Sequence, residues 1–321
     1  MKINFVSYLN PYKHHGGGEV VNRQLIEAGK LRGHEFFFTF ARNRENNYKK
    51  TADIDILADV FNFPGTLKSR GAWVLLPSSL IEYITNNRPF MHLNHAYADI
   101  CNLGYLPCSG NNSEICPHKS LLQVKRNITA LDFSTKCYST NTQVQDAFLK
   151  SIANIFVSPL HSQIITKTMN IPDEHKKIII RPLIKTRDFT NQNKTRDIEN
   201  LFVGVISEAK GFYEMREKYS DKEIVLVGKI HPGIKLDFGT YLGELAYDQI
   251  PEIMNRAKNF VFLPRWPEPQ GRVVVEAALS GCKLITNENV GALSFPFDIA
   301  DPKNVEDSAN LFWDDFEDAV R

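Results

Sequence analysis

The sequence predicts an α/β protein of two Rossmann-like domains with parallel sheets facing a central cleft, and three observations carry that expectation. The chain opens with an apolar strand-like run, a helical run and a second apolar run, in β-α-β order. A second alternating series of the same kind starts at Leu201. Between the two, residues 186–200 are polar and without periodicity, as a linker would be. The expected organisation is therefore a first domain over 1–185, a linker over 186–200, a second domain over 201–305 and a helical tail over 306–321.

Ile3, Phe5 and Val6 give the first strand. Residues 19–32 give the first helix, with Val21, Leu25, Ala28 and Arg32 near one face, and Phe36 to Phe40 return as a strand. A strand, a crossover helix and a strand imply a parallel sheet with helices on its faces. Further strands are expected at Trp73 to Leu76, Phe90 to Asn94, Cys137-Tyr138 and Ile155 to Val157. The second series supplies Leu201 to Val205, Glu223 to Gly228, Asn259 to Leu263 and Lys283 to Thr286.

Composition narrows the function classes. At 321 residues and 43% hydrophobic content the chain can bury two cores of ordinary size. A net charge of +1 with no Lys/Arg block gives no electrostatic reason to expect nucleic acid. No apolar run approaches ~18 residues, so no membrane-spanning helix is expected. Met1-Lys2-Ile3-Asn4-Phe5-Val6 reads as a strand and not as a signal peptide, which points to a cytoplasmic protein. In that compartment the sequons at Asn111, Asn127 and Asn193 carry no meaning.

The most informative stretch is Leu263 to Gly281. A proline-rich loop ends in Gln270-Gly271 and leads into a helix starting near Arg272, whose first amides offer free donors to an anion. Glu276 interrupts the apolar run of that helix, and a carboxylate on a packed helix needs donors. The two hydroxyls of a ribose would serve; so would Arg272, one turn earlier.

Five other motifs carry chemistry. Gly16-Gly17-Gly18-Glu19 lies between the first strand and first helix, where bare backbone can approach a phosphate, or where a flexible turn leaves His14 and His15 solvated. Val21 stands where a dinucleotide fingerprint wants a third glycine, which weakens a dehydrogenase reading. Lys210-Gly211 begins a helix after the strand that opens the second series and would hold an ammonium near the same cleft, or leave it in solvent. His92 and His95 end a strand at the ligand-binding face of open α/β sheets, as ligand contacts or as satisfied structural histidines. Cys101, Cys108, Cys116 and His118 are conceivable structural zinc ligands, without the tight C-x2-C step of strong zinc motifs. Asp53-Ile54-Asp55 has the D-x-D form of a metal site, against the simpler expectation of surface carboxylates ahead of a strand.

Taken in order, Gly16 to Glu19, Val157-Ser158-Pro159-Leu160-His161, Gly204 with Lys210-Gly211, Leu226-Val227-Gly228, Tyr241-Leu242-Gly243 and the E-x7-E spacing of Glu268 and Glu276 resemble the retaining family 4 glycosyltransferases of GT-B fold. The resemblance runs from about residue 1 to about residue 300. It implies that Glu276 binds the donor ribose, Glu268 lies beside the donor sugar and Lys210 binds the diphosphate; Gln270, Gly271 and Arg272, on the same loop and helix start, are expected as further donor-binding residues on their position alone. It also implies that Gly16, Gly17 and Gly18 close over the donor and that His95 contacts donor or acceptor. A Cys-rich loop after that histidine occurs in some relatives, and Ile178 to Ile184 match the segment that leaves the first domain.

The activity implied is transfer of a sugar from a nucleotide diphosphate donor to a hydroxyl acceptor, with retention, and with no metal or cofactor required. The acceptor expected is a glycan, a small molecule or a lipid-linked acceptor, the last implying peripheral membrane association; no nucleic acid partner is expected. Departures from the family are Val205 where an arginine usually stands, Gln270 in the first-Glu loop, and a chain that ends soon after Phe312-Trp313. They leave open a GT-B protein that binds without turnover, or a nucleotide-sugar epimerase. They also raise Arg265 and Arg272 as a replacement cation.

Overall fold

A computed structural model describes residues 1–14, 16–42, 45–60, 78–100 and 142–321. These form two compact units, one of Met1–Arg181 with Ala309–Arg321 and one of Pro182–Ser308. The expected strands at 73–76 and 137–138, the Cys101, Cys108, Cys116 and His118 set, and the sequons at Asn111 and Asn127 lie outside the described residues.

In the first unit, strands β1 (Lys2–Ser7), β2 (Glu35–Phe40), β3 (Glu45–Asn46), β4 (Ile54–Ala58), β5 (Phe90–Leu93), β6 (Asn154–Phe156) and β7 (Lys177–Ile179) make a seven-stranded sheet. Its order is β3-β2-β1-β4-β5-β6-β7, parallel throughout except for the short β3. Register sets Phe5 beside both Phe38 and Ile56. Ile3 to Ser7 and all of β4 are buried, as expected of central parallel strands covered on both faces.

β4 corrects the sequence reading, which placed Asp53-Ile54-Asp55 ahead of a strand and at the surface. Asp55 lies inside β4 and is wholly buried. It accepts from Asn4 at 2.5 Å, from the Tyr48 hydroxyl at 2.8 Å and from Arg88 at 3.3 Å, so the polar residue that hid the strand is satisfied within it.

Helices α1 (Gly17–Leu31), α2 (Ser78–Asn87), α3 (Thr142–Lys150) and α4 (Pro159–Met169) belong to this unit. The buried face of α1 is Val21, Asn22, Leu25, Ile26 and Gly29, rotated from the expected one because Arg32 is the cap and not a helical residue. That frees Arg32 to pair with Asp314 at 2.7 Å and Glu317 at 3.0 Å.

The second unit carries β8 (Ile198–Val203), β9 (Val225–Val227), β10 (Thr240–Tyr241), β11 (Ala257–Phe262) and β12 (Lys283–Thr286), all parallel in the order β10-β9-β8-β11-β12. β8 begins inside the stretch expected to be linker. Helices α5 (Phe212–Tyr219), α6 (Ile250–Arg256) and α7 (Arg272–Leu279) follow β8, precede β11 and follow β11 respectively. α8 (Ser308–Val320) turns the tail back into the first unit, where the buried Trp313 indole donates to Leu25 O at 2.8 Å.

The two sheets share one topological feature. The chain runs from β1 outward to β2 and then adds β4 on the other side of β1; likewise it runs from β8 to β9 and then adds β11 beside β8. At such a reversal the loops leaving the two central strands diverge and open a crevice at their carboxyl ends.

Candidate active site

In the second unit the reversal lies between β8 and β11, and Lys210 and Glu268 sit on the loops that follow them. Gly211 has φ 87°, a region L side chains seldom adopt, and a Cβ there would collide with the Leu263 carbonyl. Glycine therefore lets the Lys210 loop lie against the end of β11, where Arg265 N also donates to Ala209 O at 3.1 Å. The result is an ion pair between Lys210 and Glu268. The Trp266 indole donates to the same Glu268 oxygen at 3.2 Å, and the Phe262 and Trp266 ring centroids lie 5.6 and 5.8 Å from the ammonium.

The Glu268 loop is held by its backbone. Glu268 N donates to Asn289 O at 2.7 Å, Gly291 N to Glu268 O at 2.9 Å and Ala292 N to Gln270 O at 2.6 Å, with Gln270 itself buried. Gly271 caps α7 without any side-chain hydrogen bond. The first-turn amides thus lack the usual capping side chain.

Glu276 is 4% exposed on α7. Its Oε1 accepts from the Tyr247 hydroxyl at 2.7 Å and lies 3.8 Å from Arg272, an ion-pair distance and not a hydrogen bond. Burial pushes the carboxyl above its ordinary range, while the Arg272 charge and the Tyr247 bond act the other way. The Arg272 pairing foreseen from i, i+4 spacing is therefore present, and Tyr247 is a partner that sequence reasoning missed. It stands 29 residues upstream in a short turn, Tyr247–Gln249, that no periodicity marks.

The two candidate replacement cations differ. Arg265 is bound by Glu214 and by Glu208 at 3.4 Å and lies over the Tyr213 ring, so two carboxylates already hold its charge. Among the described residues, the ion pair of Arg272 is the longer contact to Glu276. Val205, where the family places arginine, is 43% exposed.

In the first unit the reversal lies between β1 and β4. Gly16 is the cap of α1, and Gly17 and Gly18 form its first turn, so only the first of the three stands in the turn itself. Gly18 lies over the ring of His95: a Cβ there would sit 3.1 Å from His95 Cγ. His95 follows β5, and its Nδ1 lies 2.5 Å from Asp59 Oδ2 while its backbone N–H donates to Asp59 Oδ1 at 3.1 Å. His92 is inside β5, buried, with Nε2 2.9 Å from the Asp99 carboxylate. His161, from the motif at the start of α4, is also buried, with Nε2 3.1 Å from Ala96 O, and burial holds it neutral with a pKa of about 3. The three histidines thus divide by partner: His95 is held by Asp59, His92 by Asp99 and His161 by a backbone carbonyl.

Asp59 went unnoticed in the sequence because the strand it ends was not recognised. It lines a small polar pocket with Ser7, Tyr8, Glu19 and Asn22. Of the D-x-D carboxylates, Asp53 accepts from Lys2 N at 2.7 Å and Asp55 is committed as described. Among the described residues no group of three or more His, Cys, Asp and Glu side chains could hold a metal ion, and no helix is long and apolar enough to cross a membrane.

No family model matches the sequence, and no curated protein matches it. Solved structures do match along essentially the whole chain. Sucrose-phosphate synthase from Thermosynechococcus elongatus matches with a TM-score of 0.58 at 14% identity, covering 100% of this chain and 95% of its own. The catalytic domain of starch synthase IV from Arabidopsis thaliana, bound to ADP and acarbose, gives 0.55 at 12% identity, covering 100% and 92%. An α-glucosyltransferase in complex with UDP and a 13-mer DNA containing a HMU base gives 0.53 at 12% identity, covering 100% and 91%. At these identities the likeness is one of fold, and the chain has the α/β fold of the GT-B glycosyltransferases.

Proposed function

We propose that this protein transfers a sugar from a nucleotide diphosphate donor to a hydroxyl acceptor, with retention and without a metal ion. The observation that carries the reading is the second unit's reversal point, which gathers an ammonium at Lys210, an uncapped helix start at Gly271 and a buried carboxylate at Glu276. A diphosphate meets the first two and a ribose the third. The fold-sharing proteins bound to ADP or UDP support a nucleotide donor. In catalysis Lys210 and the α7 amides would neutralise the leaving diphosphate, where preorganised donors gain most. Retention rests on the resemblance alone: front-face attack with a phosphate oxygen taking the proton requires no protein nucleophile.

Exposed Val205 favours a second reading, binding without turnover, because a position that usually supplies a cation is apolar. The DNA held by one fold-sharing enzyme makes nucleic acid an acceptor to be tried. The test is a panel of nucleotide sugars with sugars, lipid-linked sugars and hydroxymethylated DNA as acceptors, followed by release of free nucleotide and the anomeric configuration of the product. Donor-dependent release with a retained anomer is expected; tight nucleotide binding with no release from any donor would leave the binding reading standing.

A further inference from the structure

We infer that Asp59 is a positioning residue for His95: it commits Nδ1 to its own carboxylate and leaves Nε2 as the ring atom that meets an oxygen of a hydroxyl-bearing ligand. The inference deepens the transferase reading and rests on it. Asp59 holds φ 49°, a left-handed conformation that costs a non-glycine residue free energy and that Asp tolerates better than most. With that conformation both carboxylate oxygens face His95, one on Nδ1 and one on the backbone N–H. Gly18 faces the ring closely enough that a Cβ there would sit 3.1 Å from His95 Cγ, so a glycine leaves room for the ring in this position. Yet His95 Nε2 is buried and makes no hydrogen bond. A buried ring nitrogen with no partner costs free energy, which a purely structural pair has no reason to retain.

The surroundings point to a ligand with hydroxyls. Beside the pair, the pocket wall presents Glu19, Asp59 and Asn22, and Asn22 Oδ1 is likewise buried without a partner. The two carboxylates and the Asn22 oxygen accept, and the Ser7 and Tyr8 hydroxyls on the same wall can accept or donate, so a ligand bearing hydroxyls is complementary. The charged and titratable groups acting on His95 are Asp59 from β4, Glu19 from α1 and Asp99 beyond β5, with His161 of α4 alongside. Burial disfavours the charged ring, but the Asp59 charge and bond outweigh it, so His95 titrates above the ordinary histidine range. In the protonated ring Nε2 is a donor, able to bond a ligand oxygen whose hydrogen goes to one of the acceptors.

The test uses the full chain with ¹⁵N-labelled histidine, the His95 signals assigned by their loss in His95→Gln. Imidazolium shifts at pH 7 are expected in the wild type, moving into or below the ordinary range in Asp59→Asn. The same variant should lower kcat at least tenfold with little change in donor KM, and Asp59→Glu should restore most of the loss. Ordinary titration of His95 in the wild type, or an Asp59→Asn enzyme with unaltered kcat and pH profile, would overturn the inference. If no nucleotide sugar is turned over at all, the transferase reading fails separately. The positioning role is then read from free glucose and maltose: a change in the Nε2 resonance in the wild type but not in Asp59→Asn supports it, and no change with either sugar counts against it.

Discussion

Each unit sets one cation against one carboxylate at the reversal of its sheet, and the two pairs are built for different behaviour. In the first, His95 and Asp59 have side chains 6% and 21% exposed, and the cation exists only while the ring is protonated. In the second, Lys210 and Glu268 are 23% and 13% exposed, floored by Phe262 and Trp266, and the cation is a lysine. The buried pair would lose much by separation, since each partner would be left charged in a poor solvent. Lys210 is more exposed than His95 and its ammonium has three donors, so it can take on a phosphate while keeping or releasing Glu268. One pair depends on pH; the other depends on what binds.

The largest effect expected is on stability, from Asp59→Ala. Breaking a buried pair from one side costs about 3–5 kcal/mol. The pH dependence follows from the signs: Asp59 is held below its ordinary range, so its contribution is full above that range and lost as pH falls through the folded value. His95 is held above its ordinary range, so its contribution is full below that range and lost as pH rises through the raised value. Wild-type stability by chemical denaturation should therefore exceed that of Asp59→Ala most between these limits. A gap that stays constant from pH 4 to pH 9 would show that the pair is not titrating as described.

Next comes Lys210→Ala, which should lower transfer 10²–10³-fold, about 2.7–4 kcal/mol in barrier, if this ammonium meets the leaving diphosphate. Melting temperature should change little, because a partly exposed pair contributes little to folding. A variant that loses stability but keeps its rate would make the lysine pair as structural as the histidine pair, and the comparison would collapse. Glu276→Ala follows, with nucleotide affinity reduced at least tenfold by calorimetry, on the order of 1.5–3 kcal/mol for a charge-assisted pair. Tyr247→Phe removes the hydroxyl that donates to Glu276 but leaves the carboxylate, and should cost less than Glu276→Ala in the same measurement.

The sequence carried the two sheets better than the contacts within their crevices. Apolar runs alternating with helical ones are a local signal, and they located β1, β2, β5, β6, β8, β9, β11 and β12 to within a few residues. β4 escaped because Asp55 breaks its apolar run, and the Asn4, Tyr48 and Arg88 groups that satisfy it come from distant parts of the chain. Asp59 was lost with the strand it ends. Lys210, Glu268 and Glu276 were legible from type and spacing, whereas Tyr247 was not, since its contact to Glu276 exists only once the turn at Tyr247–Gln249 is brought against α7. The Lys210–Glu268 contact was likewise beyond pattern reading: it depends on Gly211 fitting against Leu263, a tertiary approach.

The smallest effect separates two arginines that bracket the same loop. A single ammonium is a weak counter-charge for a departing diphosphate, and with Val205 in place of a cation another is needed nearby. Arg265 is tied to Glu208 and Glu214, and moving it onto a phosphate would strand two carboxylates. Arg272 stands at the first position of α7, beside the uncapped amides, with its guanidinium 3.8 Å from Glu276 and not hydrogen-bonded to it. It can therefore turn toward an anion at the helix start without leaving a strong partner, and a bidentate contact there would suit a phosphate. Arg272→Ala should lower turnover about tenfold, on the order of 1.4 kcal/mol in barrier, while Arg265→Ala should change turnover less and melting temperature more. Equal rates for wild type and Arg272→Ala, with nucleotide affinity intact, would restrict Arg272 to orienting Glu276 and leave Lys210 as the phosphate cation of this crevice.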